Sequence, residues 1–233
     1  MPNFYFEHGG ATHIGLKRPD NEDALLMNKR KRLFAVADGI SGNAHGEVAS
    51  AAAVKAAALH FKPKQPWSIG RSFQKAHEAV QKLRKKMSSN MATTLTGFHV
   101  ERNGTMHIAH CGDSGLYRLR TGVLKKLTND HNWENPETHR TELLLAIGAK
   151  NFDLDYFAIH AQHGDVFLLC TDGLQGAGTQ NVKDALTKCA DGKTTPHRTA
   201  GELIKLANAA GGYDNTTAIV VKVLECKKRK TAI

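Results

Sequence analysis

Short apolar runs that each meet an aspartate are the feature that most constrains this sequence. Residues 33–37 (LFAVA) lead directly into Asp38-Gly39, and residues 166–171 lead into Asp172-Gly173. A continuous apolar run of roughly 4–8 residues that ends at a turn signal is typical of a strand buried in the interior. Such strands need covering layers, so the pattern predicts an α+β fold in which antiparallel sheets carry helices on their outer faces.

The remaining patterns agree with that layered fold. Closely spaced strands separated by short turns are predicted between residues 94 and 127, as in an antiparallel meander. Apolar residues at steps of three and four from Ile69 to Met87 predict an amphipathic helix, and the alanine-rich segment Gly46–Phe61 predicts another. Residues 129–150 are predicted to form a loop with a short helix at 142–147. Other predicted strands are Phe4–Glu7, Thr12–Gly15, Ala24–Asn28, Phe152–His160 and Thr216–Leu224.

Length and composition limit the class of protein. With 233 residues, of which 41% are hydrophobic and 23% charged, the chain can bury a core and is not disordered as a whole. At about 100–200 residues per domain, we expect one domain over residues 1–226 followed by a basic tail over 227–233. No apolar run approaches the roughly 18–20 residues of a membrane span, and the first residues do not resemble a signal peptide.

The net charge of +10 raises the alternative of a nucleic-acid binder. However, the basic residues form short clusters such as Lys29–Arg32, Lys82–Lys86 and Lys227–Lys230, no nucleic-acid-binding motif is visible, and only 6% of residues are aromatic. We therefore interpret the clusters as solvated surface and predict no nucleic-acid partner.

The cysteines indicate a reducing compartment. The four cysteines form no CxxC pair, and Cys111 and Cys170 lie in apolar runs where a thiol behaves as a small buried group. Reduced thiols are the simplest interpretation, so a cytoplasmic location is expected. We also expect a monomer.

Four aspartates share a position at the end of a predicted strand. Asp38, Asp113 and Asp172 each close an apolar strand, and Asp214 precedes the last one. Carboxylates that a sheet brings together form an all-oxygen site suited to Mg²⁺ or Mn²⁺. Taken singly, each Asp-Gly is also an ordinary turn signal. Arg18 stands in a turn just before a further acidic cluster, where it would either bind phosphate through its guanidinium or form local surface ion pairs.

The order of the motifs resembles the PPM/PP2C family of metal-dependent protein serine/threonine phosphatases, in its compact bacterial form. The resemblance covers about residues 10–223 and rests on eight segments in sequence: RPDNEDA, FAVADGISGNAHGEVAS, ATTLTGFHV, AHCGDSGLYRLR, LTNDH, LLLAIG, DVFLLCTDGL and GGYDNTTAIVV. It implies a four-layer α-β-β-α sandwich, with two antiparallel sheets flanked by helix pairs. It also implies a site for two Mn²⁺ or Mg²⁺ ions at one edge of the sandwich.

The resemblance assigns roles to residues of this chain. Asp38 would bridge the two metals, and the carbonyl of Gly39 would bind one of them. Asp172 and Asp214 would bind the other metal, and Arg18 would bind the phosphate. Asp113, with Asp172, would form the third and weaker metal site of bacterial relatives. Three further residues match positions that hold metal-bound waters or orient a ligand: Glu22, Asp23 and Asn215.

The implied activity is hydrolysis of phosphoserine and phosphothreonine on proteins by a metal-activated water, in opposition to a Hanks-type kinase. The alternative is a pseudophosphatase that binds phosphoproteins without turning them over. Ile40 and Asn43 stand where relatives place a histidine, and no histidine is assigned to a metal; His131 is expected to have a structural role. The pathway is left open between type VI secretion and cell-wall or other kinase signalling.

Overall fold

Two antiparallel sheets packed face to face form the centre of the protein, and a pair of helices covers each outer face. The structure is a computed structural model and describes residues 3–40, 45–65, 67–134 and 141–226. The described residues contain no helix long and apolar enough to cross a membrane.

Each large sheet has five strands. The first sheet has the order β1-β12-β11-β6-β7 and the second the order β10-β5-β4-β3-β2, with every pairing antiparallel. The strands are β1 Phe4–His13, β2 Asp23–Asn28, β3 Leu33–Asp38, β4 Leu95–Val100, β5 Thr105–Cys111, β6 Gly115–Arg120, β7 Val123–Lys126, β8 Asn132–Glu134, β9 Thr141–Leu143, β10 Asp155–His160, β11 Val166–Cys170 and β12 Thr216–Glu225.

Three apolar clusters hold the layers together. Between the sheets lie large side chains such as Phe34, Phe98 and Phe167. The alternate face of the second sheet packs against helices α1 (Gly46–His60) and α2 (Ser68–Met87). The first sheet packs against α3 (Thr179–Ala190) and α4 (Pro196–Ala209) in the same way. The predicted four-layer order is confirmed, because strands apolar on both faces require this double covering.

Two local predictions differ from the structure. The two short strands predicted at Phe4–Glu7 and Thr12–Gly15 are one continuous strand, β1, paired along its whole length with β12. The segment 142–147 is not a helix: β9 pairs with β8, and the backbone of Ile147 exchanges hydrogen bonds with Thr93. Pairing with β12 in the first place, and the contacts with β8 and with Thr93 in the second, outweigh local sequence preference.

Some sequence predictions fall on residues that the structure does not describe. The basic tail, residues 227–233, and Asn43 lie outside the described residues. The division into a domain over residues 1–226 and a tail over 227–233 therefore stays a prediction.

Candidate metal centre

Five aspartates from both sheets meet at one end of the sandwich. Asp38 closes β3 and lies directly opposite Asp23, the first residue of β2. Asp113 lies in the turn between β5 and β6, and Asp172 opens the 3₁₀ turn Asp172–Ala177 that follows β11. Asp214 lies just before β12. Asp38, Asp172 and Asp214 adjoin strands that are buried at nearly every position, which fixes them at the rim, whereas β2, which Asp23 begins, is half-buried throughout.

Four of these aspartates, with Arg18, line a cleft of about 860 Å³. The aspartates in the wall are Asp38, Asp113, Asp172 and Asp214. Gly39 also lines the cleft, whereas Glu22, Asp23 and Asn215 are not among its lining residues. The structure therefore brings the predicted ligands together and places the predicted supporting residues behind them.

The surroundings of the cluster raise the pKa values of its carboxyl groups. Burial, followed by the charges of the neighbouring aspartates, raises the pKa of Asp38 well above its usual range. Burial first and Asp172 next raise the pKa of Asp113 to about 6. The pKa of Asp23 is raised to about 7, mainly by burial, although hydrogen bonds from threonine hydroxyls lower it. Such raised values mark a site that favours added positive charge.

Two buried carboxylate oxygens without a hydrogen-bond partner indicate that a cation fits here. Oδ1 of Asp172 and Oδ1 of Asp23 are both buried and accept no hydrogen bond within the described part of the chain. An unpaired buried polar atom is costly, and a hard divalent cation prefers carboxylate oxygen. Asp38 and Asp172 are also close enough to share a side-chain hydrogen bond. The donor set therefore fits Mg²⁺ or Mn²⁺.

Arg18 and Asp214 are bound to each other. Nη2 of Arg18 donates to Oδ2 of Asp214 at 2.7 Å, with about one third of each side chain exposed. The other oxygen of Asp214 accepts the backbone N–H of Asn215 at 2.8 Å. A guanidinium carries five N–H donors in a fixed fork, so Arg18 can hold Asp214 and still donate to a ligand in the cleft.

Asn215 fastens the N-terminal segment to the metal-site strands. Its Nδ2 donates to the carbonyls of Ile14 and Asp20 at 2.8 and 2.9 Å, and its Oδ1 accepts the backbone N–H of Glu22 at 2.8 Å. The side chain thus positions the loop that carries Arg18. The predicted role, orienting Asp214, is performed here by the backbone N–H of Asn215.

Gly39 and Glu22 pack closely against each other and against the start of α1. The N–H of Gly39 donates to the carbonyl of Glu22 at 3.1 Å, and a Cβ at Gly39 would overlap the backbone of Gly46 at the start of α1. A Cβ at Gly46 would in turn meet Oε1 of Glu22. The two glycines therefore let α1 approach the metal-site end of β3 closely.

The sequence prediction missed several threonines that hold the aspartates. The hydroxyl of Thr171 donates to Oδ2 of Asp23 at 2.8 Å. The hydroxyl of Thr94 accepts the backbone N–H of Asp38 at 2.9 Å, and the hydroxyl of Thr93 donates to the Asp38 carbonyl at 2.7 Å. Thr171 stands directly before Asp172, so its position in the sequence could have indicated a role at the site. Nothing in the sequence pairs Thr93 and Thr94 with Asp38.

Polar side chains from α2, the loop that follows it, β8 and the segment after β9 complete the cleft wall, and the sequence prediction missed them as well. These lining residues are Arg84, Asn90, Asn132, Lys150 and Asn151. Arg84 fixes this region to α2, since its Nη1 donates to the carbonyl of Gly148 at 2.6 Å.

Two histidines near the turn that carries Asp113, His110 and His131, are each held through both ring nitrogens. Nδ1 of His131 accepts the N–H of Gly112 at 3.3 Å, and its Nε2 contacts Oδ2 of Asp155 at 3.2 Å. Ligand atoms of His110, His131 and Asp155 lie within 4.8 Å of one another, but both ring nitrogens of His110 are engaged, by Thr96 and by the Asn129 carbonyl. His131 ties its loop to the turn before Asp113, and its structural role stays a prediction.

The buried cysteines do not provide a nucleophile. Burial raises the pKa of Cys111 and of Cys170 to about 12, so both stay thiols at neutral pH. A thiol phosphatase needs a thiolate. The chemistry of the cleft therefore belongs to the carboxylates and Arg18.

We expect Mg²⁺ to stabilise the protein more at pH 8 than at pH 6. Folding raises the pKa of Asp23 to about 7 and of Asp113 to about 6, so the folded state binds protons more tightly than the unfolded state. The cluster therefore destabilises the metal-free protein above pH 7, and this effect fades as the pH falls towards 4. At pH 6 protons also compete with the metal.

Thermal unfolding with and without 10 mM Mg²⁺ at the two pH values measures this difference. An NaCl sample of equal ionic strength controls for screening of the carboxylates. Equal increases in Tm at both pH values would show that the metal does not bind these carboxylates.

Comparisons with known proteins agree on one family. The family model described as Protein phosphatase 2C matches residues 9–219. The chain is 31% identical over 242 residues to the serine/threonine protein phosphatase PstP of Mycobacterium tuberculosis, covering 94% of this chain but only 45% of that protein. It is 30% identical over 240 residues to the serine/threonine phosphatase stp of Listeria innocua, covering 91% of this chain and 93% of that one.

Solved structures share the fold. The catalytic domain of PstP, in complex with two manganese ions, superimposes with a TM-score of 0.82 at 28% identity and covers 95% of this chain and 99% of its own. PppA of Pseudomonas aeruginosa, described as a key regulatory component of T6SS, gives a TM-score of 0.81 at 27% identity and covers 96% of this chain and 100% of its own.

Proposed function

Because the chain belongs to the protein phosphatase 2C family, we propose that it is a metal-dependent phosphatase that hydrolyses phosphoserine and phosphothreonine on proteins. The observation that carries the proposal is the single cleft that Asp38, Asp172, Asp214 and Arg18 line together. The relatives named as serine/threonine phosphatases support the substrate class.

The donor set suggests how two Mn²⁺ or Mg²⁺ ions would be held. Asp38, with the carbonyl of Gly39, would contribute to both sites, and Asp172 and Asp214 would complete them. Glu22, Asp23 and Asn215, which do not line the cleft, would support these ligands. Asp113, with Asp172, would hold a third ion.

When bound, the two cations would acidify an attacking water and offset charge on the phosphoryl oxygens. The protein supplies the rest. Arg18 binds an equatorial phosphoryl oxygen through its remaining donors, and its contact with Asp214 fixes the guanidinium in the cleft. Residues between 142 and 151 line the same cleft and would contact the peptide around the phosphorylated residue.

The deciding experiment is phosphate release from a phosphothreonine peptide with Mn²⁺, with and without a chelator. The proposal expects turnover that the chelator abolishes and that excess Mn²⁺ restores. Tight binding of the phosphopeptide without release would favour the alternative, a pseudophosphatase.

Replacing Arg18 with alanine should weaken phosphate binding. A hydrogen bond to a charged group is worth about 1.5–3 kcal/mol, so KM should rise at least about tenfold on phosphopeptide and on aryl phosphate alike. Arg71→Ala, which removes an exposed arginine on α2, is the matched control and should leave KM unchanged. An unaltered kcat/KM for Arg18→Ala would remove this residue from the phosphate site.

His45→Ala should leave activity on a phosphothreonine peptide within about threefold, far from the 10²–10⁴-fold typical of general acid catalysis. His45 does not line the cleft, and its Nδ1 lies 3.9 Å from Oε1 of Glu47. Parallel rates on peptide and aryl phosphate between pH 6 and 9 measure the effect. A hundredfold loss confined to the peptide would instead identify His45 as the acid that protonates the leaving oxygen.

Phosphorylated proteins are the proposed partners, with a Hanks-type kinase as the opposing enzyme. We also propose a monomer in the cytoplasm, with no nucleic-acid partner. Co-purification of a substrate on an inactive metal-ligand variant would identify the pathway, including the secretion pathway that the likeness to PppA suggests.

A further inference from the structure

A second groove, of about 810 Å³, lies at the end of the sandwich opposite the metal centre. It is lined by the start of β1, the turns that follow β2 and β4, the start of α4 and Cys226. Strand β2 begins at Asp23 in the metal centre and ends at Asn28, beside the groove. At about 3.4 Å per residue, roughly 17–20 Å separate the two sites.

Three cations surround this groove: Lys29, Arg32 and Arg102. Within the described ranges, none of them forms an ion pair with a carboxylate. Lys29 and Arg102 are exposed, and Arg32 is partly buried. Burial first, and then the charge of Arg102, lowers the pKa of Arg32, which shows that the two guanidinium groups repel each other.

Few negative groups offset these cations. Glu7 is the carboxylate that lines the groove, and Glu101 acts on Arg32 from nearby while its Oε1 contacts His107 at 3.2 Å. Burial first, and then the charge of Lys29, lowers the pKa of His8 in the groove wall. The groove therefore carries a net positive charge that calls for an anionic ligand.

The groove wall is also preorganised and partly aromatic. Nε of Arg32 donates to the carbonyl of Val100 at 2.7 Å, which fixes this side chain and leaves its terminal nitrogens for a ligand. Tyr5 is 47% exposed on one side, and the rings of His8 and Phe34 lie 5.2 Å apart on the other. Nδ1 of His8 is buried there without a hydrogen-bond partner in the described part of the chain.

Size and chemistry together select the class of ligand. A volume of about 810 Å³ is far larger than one phosphate ion and lies within the roughly 300–1,000 Å³ of sites that enclose larger ligands. A nucleic-acid site needs a row of cations along the phosphate backbone and several aromatic side chains on which bases stack. This groove has three cations and one exposed aromatic side chain, which is too few. A peptide that alternates acidic and apolar residues matches both the cations and the aromatic wall.

We propose that this groove docks an acidic segment of the phosphoprotein substrates. The proposal rests on the proposed function for the identity of the partner, but the docking itself is independent of catalysis. An extended segment of about six to eight residues would connect the groove with the metal centre. Substrates with acidic residues at that spacing from the phosphorylated residue would then be dephosphorylated preferentially.

Direct binding tests the proposal without catalysis. The probe is a fluorescein-labelled peptide with four glutamates and two leucines, titrated with the full chain in a chelator at 150 mM NaCl and followed by anisotropy. Lys29→Gln with Arg102→Gln should raise Kd about fivefold, because it removes two of the three cations that face the peptide. Lys55→Gln with Lys125→Gln, which removes two exposed cations outside the groove, should leave Kd within about twofold.

Three results would overturn the proposal. One is an equal Kd for the groove variant and the control variant. Another is loss of binding only when Lys227–Lys230 are changed to glutamine, which would assign the peptide to the tail. The third is equal or tighter binding of an oligonucleotide of matched charge in competition with the peptide.

Turnover separates this proposal from the proposed function. On the wild type, an acidic extension eight residues from the phosphothreonine should lower KM relative to a glutamine extension, and the groove variant should lose that advantage. The groove variant should turn over a short phosphopeptide like the wild type. If the wild type releases no phosphate in Mn²⁺, the proposed function is wrong. The anisotropy measurement still shows whether the acidic peptide binds in the groove.

Discussion

Asp38→Asn should lower kcat at least about a hundredfold in Mn²⁺, with little or no loss of folding stability. All the other aspartates of the cluster affect Asp38. Burial is the main cause of its raised pKa, and the charges of the four other aspartates raise it further. The substitution removes one ligand charge and misplaces the cations, and a displacement of about 1 Å at a reacting centre can cost roughly 10²-fold. Because it also relieves repulsion among buried carboxylates, the metal-free variant should be at least as stable as the wild type.

This pair of readouts distinguishes a metal ligand from a structural residue. Asp191→Asn, which changes an exposed aspartate at the end of α3, is the control and should alter neither kcat nor Tm. Isothermal titration with Mn²⁺ should show weaker binding for Asp38→Asn. Near-normal turnover would remove Asp38 from the metal centre, and a large fall in the metal-free Tm would indicate a structural role instead.

Gly173→Ala should reduce activity about as strongly and also destabilise the fold. A Cβ at Gly173 would overlap the carbonyl oxygen of Asn215, which is backbone and cannot turn aside. The turn that begins at Asp172 would be pushed away from the strand that follows Asp214, so two ligands move together. We expect a loss of roughly 10²-fold in kcat and, at about 1–3 kcal/mol for overpacking, a fall in Tm of roughly 2–12 °C.

The chain supplies a matched glycine for comparison. Gly201 lies in α4, and a Cβ added there meets no atom within 4 Å. Gly201→Ala should therefore keep full activity and unfold at the same or a slightly higher temperature, since alanine favours a helix interior. If Gly173→Ala behaves like Gly201→Ala, the close packing between the Asp172 turn and β12 does not position the site.

The layered fold could be predicted from local patterns. Residues 33–37 and 166–171 are apolar at every position or nearly so, and such runs are typical of a strand covered on both faces. The amphipathic spacing from Ile69 to Met87 likewise predicted α2, which lies at Ser68–Met87. The prediction failed at 142–147, where hydrogen bonds between Ile147 and Thr93 on another part of the chain decide the conformation.

The contacts between site residues depended on the approach of the two sheets. Asp23 belongs to the second sheet, whereas Thr171, which holds it, follows β11 of the first sheet. The contact between Arg18 and Asp214 joins residues 196 positions apart. No spacing in the sequence indicates such pairs, because they exist only after the two sheets have packed.

The sequence by itself determined most of the strands, the aspartates at their ends and the family, because burial and turn formation act on neighbouring residues. Tertiary structure alone decided which oxygens stay without a partner, which threonines hold Asp23 and Asp38, and how Arg18 meets Asp214. It also gathered Lys29, Arg32 and Arg102 into one groove from two separate turns. Distances between side chains on different strands follow from the packing of whole layers, and that packing minimises the free energy of the entire chain rather than of any one segment.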